Sequence, residues 1–425
     1  MDFNGIHLKS KTAFKTTFRA LKHRNFRLFF AGQSVSLVGT WMQQIAMSWL
    51  VYRITGSALM LGFVGFLSQI PSFVLSPFAG VLIDRIDRRR ILAIAQILFM
   101  LQALSLALLT LTGAIEVWHI LVLGVFFGCV GAVEIPARQS FIIEMVEHKE
   151  YLGNAIALNS LMFNSARLIG PSIAGILIAA VGEGPCFLLN AFSFIPVIWS
   201  LLAMRIKARP AVKSEKDMLE GLREGFTYTF GSLPIRSIIM LLSVMSVMGT
   251  SYMILMPVYA KDILGGGPNT FGFLMASAGV GSVAATFFLA AEKNMGRLMD
   301  FIPVFSVIFA VSLVVFSFSR AVWLSALLLA FVGFAFMVHM AASNTIIQTI
   351  VDDDKRGRVM SFYTAAFIGM APVGSLIAGS LASRIGATSA LAISGTLCII
   401  AALCFASRIS TLKSLVQPIL IRTTQ

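Results

Sequence analysis

The 425-residue chain carries few charges, and those few are placed in patterns. Two acids and four arginines occupy seven consecutive positions, Asp84 to Arg90, in the stretch GVLIDRIDRRRIL. Single ionisable residues stand inside long apolar runs: Glu134 with Arg138 one turn on, Arg167, and His339. In such surroundings a carboxylate or imidazole can take up and release a proton, and an arginine can hold an anion. Neutral polar groups add to these. Gln33, Ser36, Thr40, Gln44 and Ser48 recur every three or four residues and so form one helical stripe. Ser160, Asn164, Arg167 and Pro171 share a face in another run. Faces of this kind suit a cavity for an amphiphilic small molecule. Trp41, Trp49, Phe163 and Tyr363 either supply its apolar walls or are ordinary packing residues.

The elements that must position these groups follow from composition. Hydrophobic residues make up 57 % of the chain, charged residues 12 %, and mean hydropathy is +0.87. Soluble domains carry about 25 % charge. Runs of about 20 apolar residues, the length that crosses a bilayer, recur along the chain. They predict spans near 26–52, 58–83, 91–111, 118–140, 154–181 and 185–204, then 235–259, 268–291, 301–318, 321–348, 358–382 and 387–407. Lipid offers no partners to backbone N–H and C=O groups, and the runs are too long for barrel strands, so all should be helices. The predicted fold class is an all-α membrane protein with twelve transmembrane helices in two pseudo-symmetric six-helix bundles.

Net charge is +14. Of the 33 Lys and Arg residues, 28 fall on the side of both termini and the even-numbered loops. Only Arg53, Lys261, Arg320 and Arg384 fall on the other side, and Arg167 lies within a span. By the positive-inside rule both termini are expected in the cytoplasm of a multi-pass plasma-membrane protein. The charge is thus a topology signal, and no nucleic-acid partner is implied. Cys129, Cys186, Cys398 and Cys404 lack metal-ligand spacing and read as small packing residues. Neither a nucleotide-binding Gly-rich loop nor a nucleophile-base set is present, so neither an enzyme nor a cofactor is expected, and energy must come from a gradient or a partner.

The expected organisation is a cytoplasmic N-terminal segment at 1–25, a six-helix bundle at 26–204, a cytoplasmic linker at 205–234, a second bundle at 235–407 and a cytoplasmic tail at 408–425. Phe14, Phe18 and Leu21 share a helical face suited to a membrane surface, although a solvated tail is an equal reading. In the linker, Met218, Leu222, Phe226 and Phe230 predict a surface helix. A shift of 204 residues pairs Gly153 with Gly357, Gly170 with Gly374, Gly175 with Gly379 and Gly182 with Gly386. Related halves around a midplane cavity are how many secondary transporters are built.

At this point GVLIDRIDRRR becomes specific. It resembles the loop between helices 2 and 3 of the major facilitator superfamily. Gly80, Leu82, Asp84, Arg85, Arg88 and Arg89 fit that family's pattern, while Asp87 stands where the family prefers glycine. The resemblance implies that Asp84 faces the start of helix 11, near Arg358, and that the arginines join a charge network locking the halves in one state. In helix 5, RLIGPSIAGIL resembles the motif of antiporter-type exporters, carried by Gly170, Pro171, Ala174 and Gly175. WLVYRITGSALMLGF, EIPARQSFIIEMV and RGRVMS narrow the resemblance to the drug and siderophore exporter branch, which includes enterobactin and macrolide efflux transporters.

The expected function is secondary active export of a small-molecule substrate, drug-like or siderophore, by alternating access with a proton as coupling ion. The expected unit is a monomer in the lipid bilayer of a bacterial inner membrane. Three roles stay open. Arg167 either binds an anionic substrate or rests in an ion pair. Glu134 either carries the coupled proton or pairs with Arg138 or Arg167. His339 either couples or hydrogen-bonds within its bundle. Transport of lipids, lysophospholipids or a nutrient by the same fold is the nearest alternative, and a non-transporting membrane sensor or assembly partner is the alternative of another class.

Overall fold

The computed structural model describes residues 19–146, 151–204, 218–292, 294–352 and 355–424, with the side chains at 76–85, 143, 218–222, 295 and 419–424 outside that description. The predicted surface face at Phe14 and Phe18 therefore lies outside the described residues. A short 3-10 turn, Arg19–Lys22, leads in, and its Ala20 amide donates to Asn154 Oδ1 at 2.9 Å. Six long helices follow: α1 Arg24–Thr55, α2 Ala58–Arg85, α3 Arg88–Leu111, α4 Val117–Met145, α5 Leu152–Val181 and α6 Gly184–Ala203. The linker helix Met218–Gly231 then precedes α7 Leu233–Ile263, α8 Pro268–Ala291, α9 Met295–Phe318, α10 Val322–Ile350, α11 Arg356–Ile385 and α12 Ala387–Ala406. A tail helix, Ile409–Thr424, ends the described chain and is tied to α9 by Lys413 and Asp300 at 2.5 Å. The sequence pattern had left that segment as a simple tail.

Eleven of these helices are long and apolar enough to cross a membrane by length and composition. The one outside that set is α1, although its 32 residues are ample. Its polar stripe lowers its hydropathy, and only the Gln33 and Ser36 part of that stripe is buried. Local signals set the ends. Gly56 takes φ +58°, a left-handed turn that closes α1 through its amide to the Tyr52 carbonyl, and Ser57 then caps α2 by accepting from the Met60 amide. Asp87 caps α3 by accepting from the Arg89 amide at 3.0 Å. The aspartate that departs from the family's glycine thus starts a helix.

Three widened π-turns break the regularity, at Met245–Gly249 and Tyr259–Ile263 in α7 and at Ala365–Gly369 in α11. Pro257 and Pro372 stand beside two of them. A proline removes a backbone donor and crowds the preceding turn, and at Pro372 that turn is the widened one, Ala365–Gly369.

The first six helices pack mainly among themselves, α2 on α4 and α6 on α1 and α3; in the second six, α10 packs on α8 and α9, and α12 on α9. Between the two sets the principal contacts are α5 with α8 and α2 with α11. Glycines make both. A Cβ at Gly62 would stand 2.5 Å from the Ser375 carbonyl oxygen, and one at Gly379 would stand 2.6 Å from that of Ala58. On the other side, a Cβ at Gly272 would stand 2.6 Å from the Pro171 carbonyl oxygen, and one at Gly175 would stand 2.9 Å from that of Pro268. These two seams are copies. Gly62 and Ala58 map onto Gly272 and Pro268 by a shift of 210 residues, and Gly175 and Pro171 map onto Gly379 and Ser375 by a shift of 204. Both seams lie toward the face opposite the start of α1 and the end of α12, so the two sets are sealed together on that face.

Candidate functional site

Arg167 lies at the middle of α5, about 22 Å from either end at 1.5 Å per residue. Its guanidinium carbon is 5.7 Å from the centre of the Trp41 ring on α1. Nη2 reaches toward α7, 3.5 Å from the Tyr252 hydroxyl and 3.8 Å from Met253 Sδ. The side chain therefore stands where both sets of helices meet. It is half-buried, and no carboxylate is paired with it among the described residues. Along the same face of α5, Asn164 donates to the Ser160 carbonyl at 3.0 Å, and Ser160 is exposed. Pro171 and Gly170 continue the face: a Cβ at Gly170 would stand 2.6 Å from Trp41 Cβ. Ala174 is fully buried beside Gly175. The motif in α5 thus lets α1 and α8 approach one helix at once.

The open choice for Glu134 resolves geometrically toward Arg138, whose Nε donates to Glu134 Oε1 at 2.9 Å. Both side chains are buried, at 7 % and 9 % exposure, and the Arg138 guanidinium also covers the Phe163 ring at 4.6 Å. Phe163 is one turn before Arg167. His339 is buried between α9 and α10, with Nδ1 2.8 Å from the Ser306 hydroxyl. That hydroxyl donates to the Ile302 carbonyl at 2.7 Å, which assigns the proton to His339 Nδ1 and leaves Nε2 an acceptor. Nε2 has no hydrogen-bond partner among the described residues.

The predicted stripe on α1 divides. Thr40 and Gln44 line a cavity of about 150 Å³ with Ser48, Ser68, Gln69 and Gln102, walled by Phe127 and closed toward α7 by Ile254. Gln33 and Ser36, at 3 % and 1 % exposure, are buried instead in the packing of their bundle. At the back of the cavity sits a neutral chain. Asn190 Nδ2 donates to Gln43 Oε1 at 2.8 Å, Gln43 Nε2 donates to Gln102 Oε1 at 2.9 Å, and the Ser193 hydroxyl donates to Asn190 Oδ1 at 3.0 Å. It joins α1, α3 and α6. The stripe through Gln44 does not include these residues; the available signal was an amide inside each of three apolar runs.

At the face of the chain ends, two arginines of the Asp84–Arg90 stretch turn inward on the first six helices. Arg88 pairs with Glu144 at the end of α4. Arg89 donates to the Leu201 and Leu202 carbonyls at 2.5 and 2.6 Å, where a cation complements the carboxyl end of α6. The side chains of Gly80, Asp84 and Arg85 lie outside the described residues. Arg358 and Lys355, at the start of α11, pair with Glu224 of the linker helix, and Tyr228 of that helix donates to Asp352 Oδ2 at 3.0 Å. Phe226, Phe230 and Phe362 close the same contact with ring centres 4.5 to 6.1 Å apart. At the opposite face two of the basic residues have described partners. Arg53 grips Glu183 through two hydrogen bonds of 2.7 and 3.2 Å. Across the two sets, the Tyr52 hydroxyl donates to Asp262, and Lys261 stands over the Tyr52 ring at 5.6 Å.

Two pseudo-symmetric sets of membrane helices meeting around a midplane cation define a membrane transporter rather than an enzyme. Residues 15–418 match the transmembrane secretion effector family, and the chain belongs to that family of major facilitator transporters. It is 26 % identical over 390 residues to a staphyloferrin A transporter of Staphylococcus aureus, covering 91 % of this chain and 97 % of that protein. It is 25 % identical to the multidrug efflux pump Tap of Mycolicibacterium fortuitum, with 80 % and 85 % covered, and 24 % identical to macrolide efflux protein A of Streptococcus pyogenes, with 89 % and 95 % covered. Among solved structures it resembles a peptide transporter POT with a TM-score of 0.72 at 11 % identity, covering 92 % of this chain and 95 % of that one. A bacterial homolog of the human lysosomal transporter spinster, in an inward-facing conformation, is similar with a TM-score of 0.64 at 14 % identity, with 94 % and 98 % covered. These two likenesses concern the fold. The chain is a multi-pass membrane transporter of small-molecule substrates.

Proposed function

We propose that the chain exports amphiphilic small molecules, siderophore-like or drug-like, out of a bacterial cell across its inner membrane. The observation that carries this reading is the half-buried Arg167 at mid-depth between α1, α5 and α7, beneath a face sealed by two matched glycine seams. The names of the staphyloferrin A, multidrug and macrolide relatives support the substrate class. The distribution of basic residues supports a cytoplasmic position for both chain ends, and on that reading the sealed face is the outer one and the cavity loads from within. Residues 26–204 and 235–407 rock against each other as two halves joined by the linker 205–234, in a transporter that works as a monomer within the bilayer.

Export is driven by proton entry. Glu134 is the proton site in the first half: its protonation would release Arg138, while the unpartnered Nε2 of His339 offers a second site in the other half. When the outer face opens, the inner face must close. There Gly80, Asp84 and Arg85, with Arg88 and Arg89, form the lock against the start of α11, and Arg358 exchanges Glu224 for that partnership. On this reading the substrate path joins the cavity lined by Thr40 and Gln44 to the α5 face of Ser160, Asn164 and Arg167, and Gln33 and Ser36, buried in their bundle, lie outside it.

Thermal-shift screening of purified protein against siderophores, antibiotics and lysolipids selects a ligand whose flux is then followed in proteoliposomes under an imposed pH gradient. Flux should follow the gradient, and Glu134→Gln should abolish that dependence. Flux that ignores the gradient and survives Glu134→Gln refutes proton coupling. Asp84→Asn should insert normally yet lose flux; normal flux would leave the charged loop a topology signal alone.

A further inference from the structure

The charge balance of the central site singles out a class of ligand. Arg138 and Arg167 both address the α5 face that carries Phe163, but only Arg138 has a carboxylate. The described carboxylates are engaged elsewhere: Glu134 by Arg138, Glu144 by Arg88, Glu183 by Arg53, Asp262 by Tyr52. What Arg167 has instead is a ring, a long contact to a neutral hydroxyl and a thioether. A guanidinium presents five donors in a planar fork matched to an oxyanion, and a lone cation at mid-membrane is costly unless it is matched. The site is thus incomplete on one point, a negative charge.

Resting on the export reading above, we propose that Arg167 is the anchor for a carboxylate carried by the substrate. The walls fix the rest of the ligand. Trp41 on α1 and Tyr252 on α7 both stand beside the guanidinium, so a carboxylate seated there brings its adjoining apolar body against an aromatic residue of each half. Met253 adds an adaptable thioether that accommodates bodies of varied shape. The ligand is therefore an amphiphilic acid, with its charge at mid-depth and its apolar part toward α1 and α7. Because α7 belongs to the second half, an anion held there also bears on both sides of the interface that must move.

The test uses the full-length protein in nanodiscs and one fluorescent body with three head groups: dansylglycine as the carboxylate, its methyl ester as the neutral form, and dansylcadaverine as the cation. Binding is read by energy transfer from tryptophan and by competition. The carboxylate should bind about tenfold more tightly than the ester, with the cation weakest. Arg167→Gln should bring acid and ester to the same affinity, and Arg167→Lys, which keeps the charge without the fork, should restore part of the preference. A wild-type protein that binds ester or cation as well as the acid, or an Arg167→Gln variant that keeps the preference, overturns the carboxylate anchor and leaves export standing. A wild-type protein that binds none of the three overturns the anchor and removes support for amphiphile export as well.

Discussion

The two six-helix halves meet through the same contacts and bury different chemistry. Gly62 against Ser375 and Gly272 against Pro171 are the same contact made twice, down to the carbonyl that each glycine approaches. Behind those seams the likeness ends. The first half buries an ion pair, Glu134 with Arg138, and the amide chain of Gln43, Gln102 and Asn190, and it presents Arg167. The second half buries His339 on a serine and contains the π-turns of α7 and α11. Symmetry is kept where the halves fit against each other. It is given up where one half holds charge rigidly and the other supplies helices whose hydrogen-bond ladder is already interrupted.

The largest break in this comparison should come from the buried ion pair. Glu134→Gln leaves Arg138 charged, buried and without its carboxylate, which costs about 3–5 kcal/mol when one partner of such a pair is removed. Thermal unfolding in detergent should fall accordingly. The double variant Glu134→Gln with Arg138→Met should recover most of the loss, because neutralising both partners removes the unpaired charge. Recovery would separate the structural share of this pair from its share in proton coupling, since the double variant should be stable and still fail to respond to a pH gradient. An equally unstable double variant would mean that Arg138 matters more through its cover of Phe163 than through its charge.

The seams should respond next, and alike. Gly62→Ala and Gly272→Ala each place a methyl group 2.5 to 2.6 Å from a backbone oxygen of the other half, and overpacking of this kind costs about 1–3 kcal/mol. That cost falls on the conformation with the outer face sealed. Spin labels at Ile54 and Leu264, on a cysteine-free background, should therefore report a longer separation in both variants. If Gly62→Ala opens the face and Gly272→Ala does not, the two seams are equivalent in geometry only.

Much of the scaffold was legible in advance. Apolar runs located the spans, and Met218, Leu222, Phe226 and Phe230 located the linker helix within the polar interval. The repeat of Gly175 and Gly379 was readable too, but their partners, Gly272 and Gly62, were not, because a seam joins helices far apart in sequence. The competing partners of Glu134 could be ranked, because Arg167 lies a turn or more away in depth, and the pair with Arg138 is the one formed. Arg138 sits one turn away on the same helix and Arg167 on another, and only the crossing of α4 and α5 sends Arg167 toward Trp41 and Tyr252. The tail helix escaped because its apolar run is short, and what gives Ile409–Thr424 a place is the pairing of Lys413 with Asp300. The lock at Asp84 rests on family pattern, while its neighbours Arg88 and Arg89 prove to have partners on α4 and α6.

The smallest effect should come from the amide chain, and it sharpens the contrast most. Gln43 is 4 % exposed and links Asn190 on α6 to Gln102 on α3, so Gln43→Leu keeps the volume but leaves Asn190 Nδ2 and Gln102 Oε1 without their partner. Hydrogen bonds between membrane helices contribute about 1 kcal/mol each, so the loss of stability should be modest. Ligand affinity in the cavity beside Thr40 and Gln44 should fall more than stability does, because the freed amides reorient into it. A matching substitution in the second half, Ser306→Ala, removes the acceptor of His339 Nδ1 and should leave cavity affinity unchanged. If both variants lowered affinity equally, recognition would be shared between the halves, and the division between a binding half and a flexing half would have to be given up.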